Sequence, residues 1–354
     1  MLPAPPQYFL QKLIALETRL RDAVLGGSHR VDAGAASAIV RDAVPGSGYS
    51  GDTIYALDER GEDALLSFCE AWAAELDRPF VLIAEGLAGN GRRPFPAGAA
   101  DADAAFECIV DPIDGTRALM YQKRSAWVLA AVAPGQAVLG RRPTLQDLEV
   151  AVQLELPTER ARLADCLWAV RGGGAAGETL DLATGERRPM RPAPSQARGL
   201  AHGFATIAKF FPGTKEAAAW LEERLFAEVV GDHAAGVPLV FDDEYVSSGG
   251  QLYELMVGHD RFIADLRPLL MDARRWQGTA PAGARRLCAR PYDLCTWLIA
   301  SEAGVIVTDG WGRPLAAPLD TETDVAWAGY ANEALRRQIE PVLQRLLREM
   351  GAPA

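Results

Sequence analysis

The chain has 354 residues, of which 49% are hydrophobic and 23% are charged, and this predicts a globular protein with one large domain or two lobes. Its formal net charge of −11 disfavours binding to a nucleic-acid polymer or a membrane surface, because both require a basic face. No apolar run approaches membrane-spanning length, and we expect a cytoplasmic protein.

Hydrophobic spacing predicts two helices early in the chain, one near the N-terminus and one from Asp58 onward. Two short buried strands follow, "RPFVLIAEG" (78–86) and "FECIVDPID" (106–114), and both end on acidic residues. The glycine- and proline-rich stretch between them predicts a surface loop or flap. Three more strands are predicted in "SAWVLAAVAP", "LEVAVQLELP" and "DCLWAVRGGG".

The segment 185–198 is rich in proline and arginine, which predicts a crossing between two lobes. We therefore expect an N-terminal α+β lobe over 1–197 and a C-terminal α/β lobe over 198–354. In the second lobe, strand and helix patterns alternate, which indicates a mixed α/β architecture. It is predicted to contain a loop-rich stretch over 272–286 and a terminal helix over Trp327–Met350.

The five cysteines form neither a CxxC pair nor a cluster with histidine, so we expect buried, reduced thiols rather than a disulfide or zinc framework. They are Cys69, Cys108, Cys166, Cys288 and Cys295.

The acidic residues at the strand ends are the candidate functional residues. "DPIDGT" by itself is consistent with a tight turn after a strand, but Glu85 ends the preceding strand in the same way. If Glu85, Asp111 and Asp114 meet at one edge of a sheet, their mutual repulsion requires a cation. Oxygen ligands of this kind suit Mg²⁺, with Mn²⁺ as an alternative. Asp293 begins a predicted helix, where it is either an N-cap or a fourth acid of the same site.

Two stretches, "IVDPIDGT" and "YDLCTWLIASEAGVIVTDGWGRPL", resemble the two signatures of the inositol monophosphatase family of Mg²⁺-dependent, lithium-sensitive phosphatases. Weaker similarities lie in "LDERGED", "IAEG", "AVRGGGA" and "SSGGQLYELMVGHDRFIAD". The ordered matches extend from about Asp58 to Leu315. The resemblance implies a two-lobed, layered α-β-α-β-α sandwich of the sugar-phosphatase type, with the active site between the lobes.

The resemblance also implies a ligand set for two or three Mg²⁺ ions. One ion would be held by Glu85, Asp111, the Ile113 carbonyl and Thr116, and a second by Asp111, Asp114 and Asp293. Glu85 would also help to bind a third, weaker ion.

By the same resemblance, Thr116 and Asp58 would orient and deprotonate the attacking water, while the backbone amides of Gly115 and Thr116 would hold phosphate oxygens. Arg117 and Arg290 are candidates to contact the substrate, together with Asp114 and Asp293.

The implied activity is Mg²⁺-dependent hydrolysis of a small phosphate monoester of inositol, another cyclitol or a sugar. Alternatives are a fructose bisphosphatase-like or a nucleotide (phosphoadenosine phosphate-like) phosphatase. A non-catalytic descendant that binds phosphometabolites is a further alternative. The expected partner is a small phosphorylated metabolite, and a homodimer is one option for assembly.

Overall fold

A computed structural model describes residues 1–26, 39–41, 54–88, 90–231, 237, 239–276 and 287–353, and the side chains of 39–41, 54–60 and 272–276 lie outside that description. Among these residues the helices are α1 (Pro6–Leu25), α2 (Ala56–Leu76), α3 (Thr116–Met120), α4 (Gln136–Leu139), α5 (Lys215–Val230), α6 (Ser248–Met256), α7 (Arg267–Trp276), α8 (Trp297–Ala303) and α9 (Glu333–Glu349). Short 3₁₀ turns lie at Asp101–Asp103, Leu145–Asp147 and Tyr292–Leu294.

The strands form one small antiparallel pair and two larger sheets. The pair consists of β1 (Ile39–Arg41) and β2 (Ile54–Tyr55). The first sheet contains β3 (Phe80–Ala84), β4 (Arg92–Phe95), β5 (Phe106–Asp114), β6 (Ala126–Pro134), β7 (Val150–Leu156), β8 (Leu163–Val170), β9 (Ala175–Asp181) and β10 (Arg187–Met190). Its spatial order is β10-β9-β8-β7-β6-β5-β3-β4. The second sheet contains β11 (Gly203–Ile207), β12 (Val240–Phe241), β13 (Asp260–Asp265), β14 (Ile306–Thr308) and β15 (Trp327–Tyr330), in the order β12-β11-β13-β15-β14.

The two faces of the first sheet are both covered, which explains why its central strands are mostly apolar on both sides. Phe80 and Leu82 of β3 point into a core shared with α1 and α2. Val81 and Ile83 point the other way, into a core shared with α6, α8 and the second sheet. Every residue of β3, β5 and β6 is therefore buried.

The far face of the second sheet packs against α5 and α9. Phe262 of β13 and Tyr330 of β15 meet Leu221 of α5 and Ile339 of α9 in this core. The layers thus run α1/α2, first sheet, α6/α8, second sheet, α5/α9. This arrangement confirms the predicted layered α-β-α-β-α sandwich. The boundary expected at residue 197 falls in the connection between the two sheets.

Several predicted elements need correction. The stretch expected as a lobe crossing contains the strand β10. Its Pro189 is tolerated because β10 is an edge strand and pairs with β9 alone. The expected loop after β3 contains β4, which pairs antiparallel with β3. The start of the expected terminal helix is β15, whose residues Trp327–Tyr330 lie between β13 and β14. Helix α7 extends into the stretch predicted as loop, and the rest of that stretch, 277–286, lies outside the described residues.

The cysteine prediction is confirmed for four of the thiols. Cys69, Cys108, Cys166 and Cys295 are buried, Cys288 is half-buried, and all five are unpaired. Within the described part of the chain, no helix is both long enough and apolar enough to cross a membrane.

Candidate metal centre

Two neighbouring strands bring the first acids together. Strands β3 and β5 run parallel, and Ala84 lies opposite Val110 in their register. Glu85 and Asp111 each follow by one residue, so both reach the same edge of the sheet. The Tyr292 hydroxyl donates to Glu85 Oε1 at 3.2 Å. Strands β3 and β5 therefore bring Glu85 and Asp111 to one edge of the sheet.

A bulge turns Asp111 and Asp114 toward the same side. Residues three apart on a regular strand would point to opposite faces. In β5 the register with β6 shifts by one residue between Asp111, which lies opposite Leu129, and Asp114, which lies opposite Trp127. The proline between the two acids is compatible with this bulge, since it withholds no ladder hydrogen bond there. Both carboxylates consequently face Asp293.

The turn after β5 is closed by local hydrogen bonds. The Ile113 amide donates to Asp111 Oδ1 at 3.0 Å, and the Thr116 hydroxyl donates to the Ile113 carbonyl at 2.9 Å. Gly115 has a φ of 97°, and a Cβ there would lie 3.2 Å from the Ser247 Cβ. Only glycine meets both conditions without strain. The "DGT" sequence therefore sets the direction of both the carbonyl and the hydroxyl.

Asp114 is hydrogen-bonded to the start of α6. Its Oδ2 accepts from the Ser247 hydroxyl at 2.9 Å and from the Gly249 amide at 2.5 Å. Ser247 is also the N-cap of α6, because its Oγ accepts from the Gly250 amide at 2.8 Å. Burial raises the pKa of Asp114 to about 6, although these hydrogen bonds act in the opposite direction.

Asp293 completes a cluster of three carboxylates. It lies in the turn Tyr292–Leu294, where its Oδ2 accepts from the Arg290 amide at 2.5 Å. One oxygen from each of Asp111, Asp114 and Asp293 lies within 4.8 Å of the others. Burial raises the pKa of Asp111 well above its usual range, and the nearby charges of Glu85, Asp114 and Asp293 raise it further. The pKa of Asp293 is raised in the same way by burial, then by Asp114 and Glu85.

This donor set fits a hard divalent cation. The three carboxylates converge from β5 and the Tyr292–Leu294 turn, and a fourth, Glu85, lies close enough to raise the pKa of two of them. Acids crowded in this way hold protons when no cation is bound, and they release them when a cation binds. All the donors are oxygens, which suits Mg²⁺ or Mn²⁺ rather than zinc.

Arg117 and Arg290, the two arginines predicted to contact the substrate, have different surroundings. Arg117 follows Thr116 directly, and its guanidinium lies 5.6 Å from the centre of the Phe211 ring. The Arg290 guanidinium forms an ion pair with Asp324 at 2.5 Å and also donates to the Glu322 carbonyl. Arg290 thus contacts the acid cluster through its backbone amide, which donates to Asp293. Asp58 lies in α2, but its side chain is outside the described residues.

Sequence reasoning missed two features of this site. One is the link from Asp114 to Ser247 and Gly249; a serine before a helical pattern signals an N-cap but not the acid that the cap also binds. The other is a buried ion pair between Asp265 and Arg267 at the end of β13. The Arg267 guanidinium packs 5.2 Å from the centre of the Phe211 ring and lowers the pKa of Asp293 somewhat.

Solved structures with a similar fold align with almost the whole of this chain. The extragenic suppressor protein SuhB of Bartonella henselae has a TM-score of 0.60 and 16% identity, covering 96% of this chain and 99% of that one. The holo form of Leishmania major fructose-1,6-bisphosphatase has a TM-score of 0.59 and 15% identity, covering 96% and 92%. An IMPase of Thermotoga maritima has a TM-score of 0.58 and 15% identity, covering 97% and 99%.

The chain has the inositol monophosphatase fold. The resemblance found in the sequence is thereby confirmed at the level of fold. No protein-family model matches the chain, and no curated protein sequence matches it significantly. At identities of 15% and 16% the likeness is one of fold, and the chemistry of the site rests on the acids described above.

Proposed function

We propose that this chain is a divergent member of the inositol monophosphatase family that hydrolyses a small phosphate monoester with the help of Mg²⁺. The observation that carries the proposal is the convergence of Asp111, Asp114 and Asp293 within 4.8 Å, with Glu85 beside them. A structural role for four crowded acids is disfavoured, because their repulsion opposes folding unless a cation is bound.

The residues that would hold Mg²⁺, or Mn²⁺, divide into two groups around the shared Asp111. Glu85, Asp111, the Ile113 carbonyl and Thr116 form one group, and Asp111, Asp114 and Asp293 form the other. A third, weaker site at Glu85 stays a prediction. When bound, the metal supplies positive charge that stabilises the phosphoryl oxygens during in-line displacement and makes water more acidic.

The residues of the turn after β5 would position the attacking water and the phosphate. The Thr116 hydroxyl is oriented by its bond to the Ile113 carbonyl, and a hydroxyl that donates in this way has an oxygen that can accept from a water. The predicted partner that takes the proton is Asp58. The amides of Gly115 and Thr116 would hold phosphate oxygens at the start of the short helix α3, next to the acids.

For the alcohol part of the substrate, we propose an inositol, another cyclitol or a sugar. Arg117 is the favoured contact on the substrate side, since it follows Thr116 directly. The substrate-binding role of Arg290 stays a prediction, because its guanidinium is engaged by Asp324. Its backbone amide, which donates to Asp293, supports a positioning role instead.

The test is release of inorganic phosphate from a panel of phosphorylated cyclitols, sugars, sugar bisphosphates and nucleotides, with Mg²⁺ and with a chelator. We expect turnover of at least one member that requires Mg²⁺ and is lost in Asp293→Asn. The panel also separates the fructose bisphosphatase-like and nucleotide phosphatase alternatives. Binding of phosphate esters without any turnover would refute the proposal and favour a non-catalytic descendant.

A further inference from the structure

A cavity lies next to the acid cluster, on the side of the first sheet that faces α6. Its volume is about 460 Å³, within the range of small-molecule sites. Much of its wall is aromatic, formed by Trp127, Phe204, Tyr245 and Tyr253. Trp127 lies opposite Asp114 in the sheet register, so the cavity adjoins the metal centre but is lined by other residues.

The walls also carry four carboxylates, and three of them have partners. Arg124 forms ion pairs with Asp243 and, at 3.7 Å, with Glu254. His259 Nδ1 lies 2.5 Å from Glu254.

Glu155, the third, accepts from the Ser125 hydroxyl at 2.5 Å and from the Asp165 amide at 3.0 Å. These hydrogen bonds satisfy both of its oxygens. None of the three needs a ligand.

Asp260 is the exception. It begins β13, lines the cavity and is only 6% exposed. Among the residues that the structure describes, neither a hydrogen-bond donor nor a cation lies within bonding distance of its carboxylate. A carboxylate buried to this degree normally has a partner, because desolvation without one is costly. Its carboxylate lines the cavity without a partner among the described residues, and it therefore points to a positively charged ligand.

The residues that line the cavity indicate which kind of cation it would bind. Within the described part of the chain, only Asp111, Asp114 and Asp293 bring three possible metal ligands together. The cavity acids do not converge in that way, which disfavours a metal ion. Aromatic faces beside an acid are instead the surroundings in which proteins bind organic ammonium groups.

We propose that this cavity is a binding site for a small organic molecule with a primary ammonium group, which forms an ion pair with Asp260 while its carbon chain packs on the aromatic walls. The site is independent of the proposed phosphatase chemistry. Its charge balance agrees with the ligand, since Lys123 and Arg124 are outnumbered by the four carboxylates of the lining.

The test uses the full chain saturated with Mg²⁺, so that the metal centre does not compete for the probe. The probe is n-butylammonium, and its neutral control is 1-butanol, which has a similar size. Binding is followed by the NMR signal of the Trp127 indole N–H. We expect saturable binding of the cation, at least tenfold tighter than of the alcohol, and at least tenfold weaker binding in Asp260→Asn. Glu186→Gln, an equal charge change outside the cavity, should leave binding unchanged.

A second readout applies to the wild type alone, in case Asp260→Asn folds poorly. Burial raises the pKa of Asp260 to about 7, and Glu254 and Asp243 act in the same direction, while His259 and Arg124 oppose them. The ammonium needs the ionised acid, so its affinity should rise about tenfold between pH 6 and pH 8. Equal binding of butanol, equal binding by Asp260→Asn, or an affinity independent of pH would overturn the proposal.

Discussion

Replacing Asp111 by asparagine should make the metal-free protein more stable while it abolishes activity. Asparagine keeps an oxygen that can accept from the Ile113 amide, so the local turn is preserved. It removes a charge that lies within 4.8 Å of carboxylate oxygens of both Asp114 and Asp293. At a separation of 4.8 Å and an effective dielectric constant of about 20, each charged pair repels by about 3.5 kcal/mol.

The measured gain should be smaller than the sum of two such pairs. Burial and the neighbouring acids hold the pKa of Asp111 well above its usual range, so a proton relieves part of the repulsion in the wild type. We expect Asp111→Asn to raise the free energy of unfolding by about 1–3 kcal/mol in the presence of a chelator. With Mg²⁺ the order should reverse, because the cation stabilises only the protein that binds it.

The assay is urea unfolding of both proteins with a chelator and with saturating Mg²⁺, together with phosphate release. Turnover should fall by about two to three orders of magnitude, as for the loss of a key electrostatic group. Asp181→Asn is a matched control, since Asp181 accepts from Arg162 and lies outside the cluster. That variant should lose stability under both conditions. If Asp111→Asn is less stable without metal, or gains as much from Mg²⁺ as the wild type, the reasoning about crowded acids is wrong.

Three further variants test neighbouring parts of the account. Gly249→Ala places a Cβ 2.6 Å from Leu129 Cδ2 and 3.0 Å from Asp114 Oδ2, so the start of α6 must shift against Asp114. This should weaken calorimetric Mg²⁺ affinity at least tenfold, whereas Gly199→Ala, which has space, should not; equal affinities would contradict this. Thr116→Val should lower turnover by about 10²-fold at saturating Mg²⁺ and should also weaken Mg²⁺ binding, because Thr116 is one of the proposed ligands, while Thr116→Ser keeps the hydroxyl and stays within about tenfold in turnover; near-normal turnover of the valine variant would remove Thr116 from the mechanism. Burial raises the pKa of Glu17 in α1, so its protonated form stabilises the fold at low pH and this contribution is lost as pH rises. Glu17→Gln should therefore exceed the wild type in unfolding free energy by about 1–3 kcal/mol at pH 8 and by less at pH 5 in urea titrations, and a difference independent of pH would argue against it.

Much of this architecture could be predicted from local sequence patterns. The apolar runs of β3 and β5 end in acids, and a parallel pair brings strand ends to one edge, so the meeting of Glu85 and Asp111 could be predicted. The bulge that turns Asp114 to the same side as Asp111 could not, because it depends on how β6 pairs with β5. The same applies to the Ser247 and Gly249 bonds to Asp114, which join segments more than 130 residues apart.

The incorrect element predictions share a cause. Strand β15, at Trp327–Tyr330, is a buried strand too short to be told from the start of a helix by its spacing alone. Strands β4 and β10 contain arginine and proline, which argue for loops, and both are edge strands of the first sheet where such residues are tolerated. Position at an edge is a property of the folded sheet, and the local sequence does not report it.

The central claim is that Asp111, Asp114 and Asp293 together bind a divalent cation. Anomalous diffraction from crystals grown with Mn²⁺ tests this claim most directly, because manganese scatters anomalously and magnesium does not. The account predicts an anomalous peak within coordination distance of all three carboxylates, and its loss in Asp111→Asn. Crystals at saturating Mn²⁺ that show no peak between these acids would contradict it.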